Sequence, residues 1–182
     1  MASPRKTLIA PVVGFAPALP AQAYVLVLGT LPSVASIARQ EYYGHPRNAF
    51  WPIMGSLLGF DAALPYAERV DHLRRNGVAL WDVCHSAQRD GSLDTAIQAQ
   101  GLVANDIAAL LDRQPRIRAV FLNGAAAAKL FRRWVAPTLA SRFESLPQWV
   151  MPSTSPAHAG RTLRQKAREW SKIRQYLPGV QP

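Results

Sequence analysis

Within seven residues, His45 to Trp51 (HPRNAFW), the chain sets a histidine, an arginine, an asparagine and two aromatic rings. An amide can hold a water molecule and a flat ring can stack on a planar heterocycle, so the pair suits hydrolysis beside a flat base. The same residues serve structure equally well: Asn48 suits a helix N-cap, and Phe50 and Trp51 suit a core. Two further segments concentrate polar groups. LWDVCHSAQR, residues 80–89, carries Asp82, which either accepts from the N–H of a heterocycle or is a structural carboxylate bonded to backbone donors or to Arg89. His85 is placed to meet a carbonyl on the same heterocycle, and Cys84 reads as a buried apolar residue, since nothing around it activates a thiol. STSPAHAGR, residues 153–161, has the small residues and prolines that let a backbone approach a phosphate. Ser153, Ser155 and Arg161 there make a phosphate clamp, or the segment is a plain loop before an N-capped helix.

Those segments need a scaffold that brings them together. Residues 23–29 (AYVLVLG) form a short continuous apolar run, as in a strand buried on both faces. The run stops at a loop, TLPSVAS, in which Gly29 and Pro32 build a tight turn and Ser33 and Ser36 bond a phosphate or cap the turn. A helix is predicted from about Asn48 to Leu58, another over 66–76, and a second strand at VALWDVC. Residues 85–105 mix loop and weak helix signals, and a short helix over 106–113 precedes a third strand, Ala119–Leu122. Asn123-Gly124 reads as a structural turn into an alanine-rich helix reaching about Val135. A fourth strand, Trp149–Met151, leads through PSTSPAHAG to a final helix over 162–177. Its Leu163, Ala167, Trp170, Ile173 and Leu177 share one face, with Arg164, Arg168 and Lys172 off it. The expectation is one domain of α/β class, a three-layer α/β/α arrangement with a central four-stranded, mostly parallel sheet. In such sheets ligands bind at the carboxyl ends of the strands, where all three polar segments fall. The Pro-rich ends, residues 1–20 and 178–182, are expected to be loosely attached.

The totals narrow the chemistry. A single cysteine excludes a disulfide framework within the chain and any four-cysteine zinc or iron–sulfur site. No GxxxxGK[ST], GxGxxG, HExxH, CxxC or GxSxG pattern occurs, so no metal and no cofactor is expected. The basic and then apolar start resembles a signal peptide superficially, but Pro11, Pro17 and Pro20 interrupt it; with no apolar run near the roughly 20 residues of a membrane span, the expected place is the cytoplasm. Net charge is +10, and it is lopsided: residues 1–100 carry 8 basic and 7 acidic side chains, residues 101–182 carry 13 and 4. That field favours a polyanion as partner, with counterion release from phosphates supplying affinity. Arg74-Arg75 and Arg132-Arg133 read as solvated helix faces within it.

Gly-x-x-Pro after the first strand, then Asn-x-Phe-Trp opening a helix, resembles the first motif of mismatch-specific uracil-DNA glycosylases. The fuller string, LPS followed by YYGHPRNAFWPIM, is similar to the hypoxanthine-DNA glycosylases of the same superfamily. The resemblance implies that Phe50 stacks the flipped base and that Asn48 is catalytic. Gly29 and Leu31 would line the base pocket, with Ser33 and Arg47 toward the DNA. Where other branches place a water-activating Asp or Asn two residues after the glycine, this chain has Leu31, as the deoxyinosine branch does, so Asn48 must supply that role. By order along the chain, Asp82 and His85 correspond to the strand end that reads the base edge. The SPAHAG loop resembles the superfamily's second motif, which wedges into the duplex. Ser153, Ser155, Pro156, Ala157 and Arg161 would then touch DNA, and His158 would also stabilise charge near the glycosidic bond.

The activity so implied is hydrolysis of the N-glycosidic bond of a deaminated base in double-stranded DNA, hypoxanthine first and uracil second, by a monomeric, monofunctional enzyme. Two rivals stay open from the residues alone. A non-catalytic damage-binding protein is one, kept alive by Leu31. An enzyme on free nucleosides is the other, although nucleosides lack the phosphates that the basic half-chain would serve.

Overall fold

The computed structural model describes residues 10–179. Residues 1–9 and 180–182, part of the ends expected to be loose, lie outside the described residues. Part of the N-terminal stretch is held by backbone pairing. β1 (Val12–Val13) pairs with a later strand, and the Ala18 backbone exchanges hydrogen bonds with Leu80 in both directions. The Pro-rich composition had suggested looseness, yet a proline removes only its own N–H and leaves the intervening peptides free to pair.

β2 (Val25–Gly29) is buried throughout. The loop expected after it contains a short helix, α1 (Val34–Arg39), started by the Ser33 hydroxyl, which accepts from the Ser36 amide. α2 (Phe50–Leu58) ends at Gly59, and α3 (Tyr66–Arg75) delivers the chain to β3 (Val78–Asp82). The single strand expected over VALWDVC is two strands. It breaks at Val83, and β4 (Cys84–Ala87) leaves the main sheet to pair with β1 and with β5 (Val103–Ala104) in a second, antiparallel sheet. α4 (Ile107–Arg113), capped by Asp106, leads to β6 (Ala119–Asn123). α5 (Ala125–Leu130) then widens into a π-helical turn over Phe131–Val135. β7 (Gln148–Met151) and α6 (Leu163–Trp170) complete the order, with a 3-10 turn over Ser171–Tyr176.

The main sheet is all parallel, in the order β3-β2-β6-β7. α3 packs on β3, α5 packs on β6 and β7, and α2 lies against α3 and α6, which gives the expected three-layer α/β/α arrangement. The chain starts at β2, steps to β3 on one side, then crosses to β6 on the other. β2 and β6 therefore flank the point where winding reverses, and a crevice opens there at the carboxyl edge of the sheet. The register brings Gly29 level with Asp82, while Asn123 follows Leu122, the partner of Leu28. Those three residues mark the floor of that crevice.

Candidate active site

The crevice holds a cavity of about 500 Å³. Its floor is the strand edge, with Gly29, Leu31 and Asp82 on one side and Asn123 on the other. A Cβ at Gly29 would collide with Asp82 Oδ1 and sit 3.1 Å from the Tyr43 hydroxyl, so only glycine admits both groups to the floor. Asp82 is 4% exposed. Its Oδ2 is buried without a hydrogen-bond partner, and the buried Tyr43 hydroxyl has the Asn123 side chain as its polar neighbour. Buried polar atoms rarely stay unpaired, and one on a residue that lines a cavity marks a place for a ligand.

Burial first, and the nearby Asp94 carboxylate second, raise the Asp82 carboxyl to about 7 against the opposing field of Arg89. Arg89 does not neutralise Asp82 by contact. Its guanidinium donates to the carbonyls of Leu31, Pro32 and Gly91, and so clamps the turn after β2. Asp94 is occupied as well, accepting from the Thr30 hydroxyl at 2.6 Å. Tyr43 is raised above the ordinary phenol range, by burial first and by Asp82 second. Burial also lifts the Cys84 thiol to about 12, which agrees with its reading as a buried apolar residue.

Asn48 lines the cavity, and its Oδ1 accepts from the Phe50 amide at 3.0 Å. That bond fixes the amide plane and leaves the second lone pair of the oxygen for a water molecule. The N-cap expected at Asn48 is instead Ala49, which makes no side-chain cap bond, and Asn48 closes a two-residue turn just ahead of it. The outer wall is the segment from Ser153 to His158, tied down at its root. Asn123 grips Thr154 twice, donating to its hydroxyl and accepting from its amide, both at 2.9 Å. The Thr154 carbonyl in turn accepts from Ala49 at 2.9 Å, so one residue joins the segment to the start of α2. Gly124, at φ +95°, brings its backbone against Ser153, whose Cβ would lie 2.9 Å from any Cβ at Gly124.

Residues 16–177 match the model of the uracil DNA glycosylase superfamily. The chain belongs to that superfamily and is a DNA glycosylase. It is 32% identical over 161 residues to a hypoxanthine DNA glycosylase of Methanosarcina acetivorans, covering 88% of this chain and 96% of the relative. A hypoxanthine DNA glycosylase of Methanosarcina barkeri is 38% identical over 112 residues, 61% of this chain and 70% of the relative. The solution NMR structure of a candidate uracil DNA glycosylase from Methanosarcina acetivorans superposes with a TM-score of 0.75 at 31% identity. That match covers 90% of this chain and 96% of the other.

In this glycosylase the structure gathers Gly29, Leu31, Ser33, Asn48 and Asp82 around the cavity, and Ser153, Ser155, Ala157 and His158 along its mouth. It leaves five expected site residues outside the lining. Phe50 has no exposed surface. As the first residue of α2 it turns into the core, edge-on to Trp51 and Trp170. Tyr42, Tyr43 and Trp134 are the aromatic residues of the lining, and Tyr43 is stacked on Phe50 with centroids 4.1 Å apart and planes at 27°. Phe50 thus lies behind Tyr43 and outside the lining. His85 is exposed on β4, where alternation sends Cys84 inward and His85 outward, and β4 has already left the main sheet. Arg161 is exposed and paired with Glu169 on α6, Arg47 is exposed beyond the cavity, and Pro156 is half-buried between two lining residues.

Some participants had no sequence signal strong enough to find them. Tyr43 stood in the same aromatic string, but its φ of +54° decides its role, and that conformation is set by long-range bonds. Gly44 donates to the Ser36 hydroxyl, and on the other side Tyr42 donates to the Tyr66 hydroxyl, both at 3.1 Å. Lys166, on α6, donates to the His158 carbonyl at 2.9 Å and so supports the outer segment. Among the described residues no helix is long and apolar enough to cross a membrane, and no cluster of His, Cys, Asp or Glu fits a metal ion.

Proposed function

We propose that this glycosylase removes hypoxanthine, and secondarily uracil, from double-stranded DNA, as a monofunctional hydrolase acting as a monomer. The observation that carries the reading is the unpartnered, buried Asp82 Oδ2 in the lining of a cavity that the Tyr43 ring also walls. A deaminated base presents an N–H beside a carbonyl, the complement such a floor needs, and its ring stacks on Tyr43 with Phe50 behind.

The duplex is drawn in by the basic C-terminal half, and residues 157–159 enter it as the nucleotide turns out. Flipping costs a few kcal/mol, least where the base is already mispaired. Asn48 Oδ1 orients a water toward C1′; an amide is a poor base, so its contribution is position more than deprotonation. Leu31 beside it is apolar and 6% exposed, which leaves Asn48 as the water-holding residue on that wall. The glycosidic bond opens through an oxocarbenium-like sugar, and the fixed polar groups of a water-poor pocket stabilise the departing base. Water is the nucleophile at C1′ in this reading, so the product is an intact strand with an abasic site, although Lys129 also lines the cavity.

Base release from matched duplexes containing deoxyinosine, deoxyuridine or neither tests this, with wild type beside Asn48→Ala. Release from the deoxyinosine duplex, cut at least 100-fold in the variant, is the expected result. Release from uracil alone would overturn the substrate, and an unimpaired variant would overturn the water-holding role.

A further inference from the structure

The glycosidic bond cannot break without negative charge gathering on the departing base, yet the lining of the cavity carries two carboxyl groups, Asp82 on the floor and Asp94 beside it. Asp94 is held by Thr30, whereas Asp82 lines the cavity and its buried Oδ2 has nothing bonded to it. An ionised Asp82 would repel the charge that the reaction must create. An uncharged one has an O–H to give.

We propose that Asp82 works as the uncharged acid, its Oδ2–H donating a hydrogen bond to the carbonyl oxygen of the flipped base as that base departs. The inference rests on the glycosylase reading of the cavity. Its balance is simple. The electron pair of the C1′–N bond passes into the base and collects in part on the carbonyl oxygen. Water adds to C1′ and releases its proton to solvent, the base takes a proton from solvent, and Asp82 keeps its own.

The surroundings hold the carboxyl in that state. From β2, Gly29 offers no charge, and from the loop before α2, Tyr42 and Tyr43 are phenols that burial keeps neutral. From β4, Cys84 is a buried thiol, likewise neutral. Beyond β4, Asp94 adds negative charge, and Arg89 is the cation whose field reaches Asp82, each of its three nitrogens donating to a backbone carbonyl. Lys129 and Arg133 enter the cavity from the α5 side, and His158 stands exposed at the mouth. Asp82 is thus a buried acid beside a second acid with no ion-pair partner in contact, the arrangement that keeps a carboxyl protonated near neutrality.

The test is single-turnover release of hypoxanthine between pH 5.5 and 9.5. Wild type should fall with a midpoint near 7 and lose about tenfold per pH unit above it. Asp82→Asn keeps a donor and cannot ionise, so its rate should stay within about tenfold of wild type at pH 6 and show no fall; at pH 9 it should be the faster enzyme. Asp82→Leu, similar in size and without a donor, should lose about 100-fold or more at every pH. His158→Gln should keep the wild-type midpoint. Binding of a duplex carrying a non-cleavable 2′-fluoro-deoxyinosine reports whether each variant is folded and loaded. A wild-type rate that is flat or rises with pH would overturn the inference, as would a fall abolished by His158→Gln and retained by Asp82→Asn. Failure of wild type to release any base would instead sink the glycosylase reading beneath it.

Discussion

The floor and the mouth of the cavity are built on opposite principles. The floor is strand end: Gly29, Asp82 and Asn123 sit on three adjacent parallel strands, buried, with their backbones fixed by the sheet. The mouth is the segment running from Ser153, exposed from Ala157 onward and held by a few side-chain bonds, of which Asn123–Thr154 and Lys166–His158 are the chief. Rigid elements hold reacting geometry to fractions of an ångström, while an exposed loop can move to enter a duplex. Under the proposed function, base reading by Asp82 belongs to the floor and DNA engagement to the mouth, with Tyr43 and Asn48 on the loop between them.

Four substitutions would break or sharpen that division. The largest effect is expected at the platform: Tyr43→Ala should lower base release by about 100-fold while leaving affinity for undamaged duplex within about twofold, because stacking is lost and phosphate contacts are not. A parallel loss of duplex affinity, by fluorescence anisotropy, would dissolve the separation. Asn123→Ala should come next, costing about 2 kcal/mol in urea unfolding, since it strands the buried Thr154 amide and hydroxyl. Its kinetic cost should appear in KM more than in kcat.

At Asp82 the division predicts a conflict between stability and function. The folded state binds this proton more tightly than the unfolded chain does, so its contribution to stability is fully present below the unfolded value of 3.8 and is lost as pH rises toward about 7. Asp82→Asn should therefore raise Tm at pH 8 and change it little at pH 4, as read by differential scanning calorimetry. An equal shift at both pH values would mean that Asp82 is not a buried uncompensated acid. The smallest effect is expected at the mouth: Lys166→Met should weaken duplex binding by about threefold and leave single-turnover release from the bound complex unchanged. A loss confined to the chemical step would place Lys166 in the floor's camp.

Much of the main sheet was legible because parallel strands covered on both faces write themselves as continuous apolar runs, and Val25–Gly29 and Ala119–Asn123 do so without interruption. Asn48, Asp82 and the 153–158 segment were reachable because each directly follows a strand or opens a helix. Phe50 and Tyr43 were not separable in sequence: both are aromatic, both lie in one string, and which of them meets the cavity depends on a left-handed backbone at Tyr43. The second sheet was invisible for a different reason. β1 and β5 have two residues each, too few for any alternation to register, and their partner β4 reads as the tail of β3. Arg89 and Asp94 act through bonds to Leu31, Pro32 and Thr30, more than 55 positions away, and no local pattern announces such bonds.

The N-terminal strap has a practical meaning for anyone handling the protein. The Phe15 carbonyl accepts from both the Tyr42 hydroxyl and the Trp81 indole, the neighbours in sequence of the platform ring and of the floor acid. A fusion partner ahead of residue 10 should be harmless. A protease cut between Gly14 and Ala18 should instead leave a chain that still carries every residue of the site and still clings to DNA, but whose excision rate has dropped, and a gel would show only a sliver of mass missing.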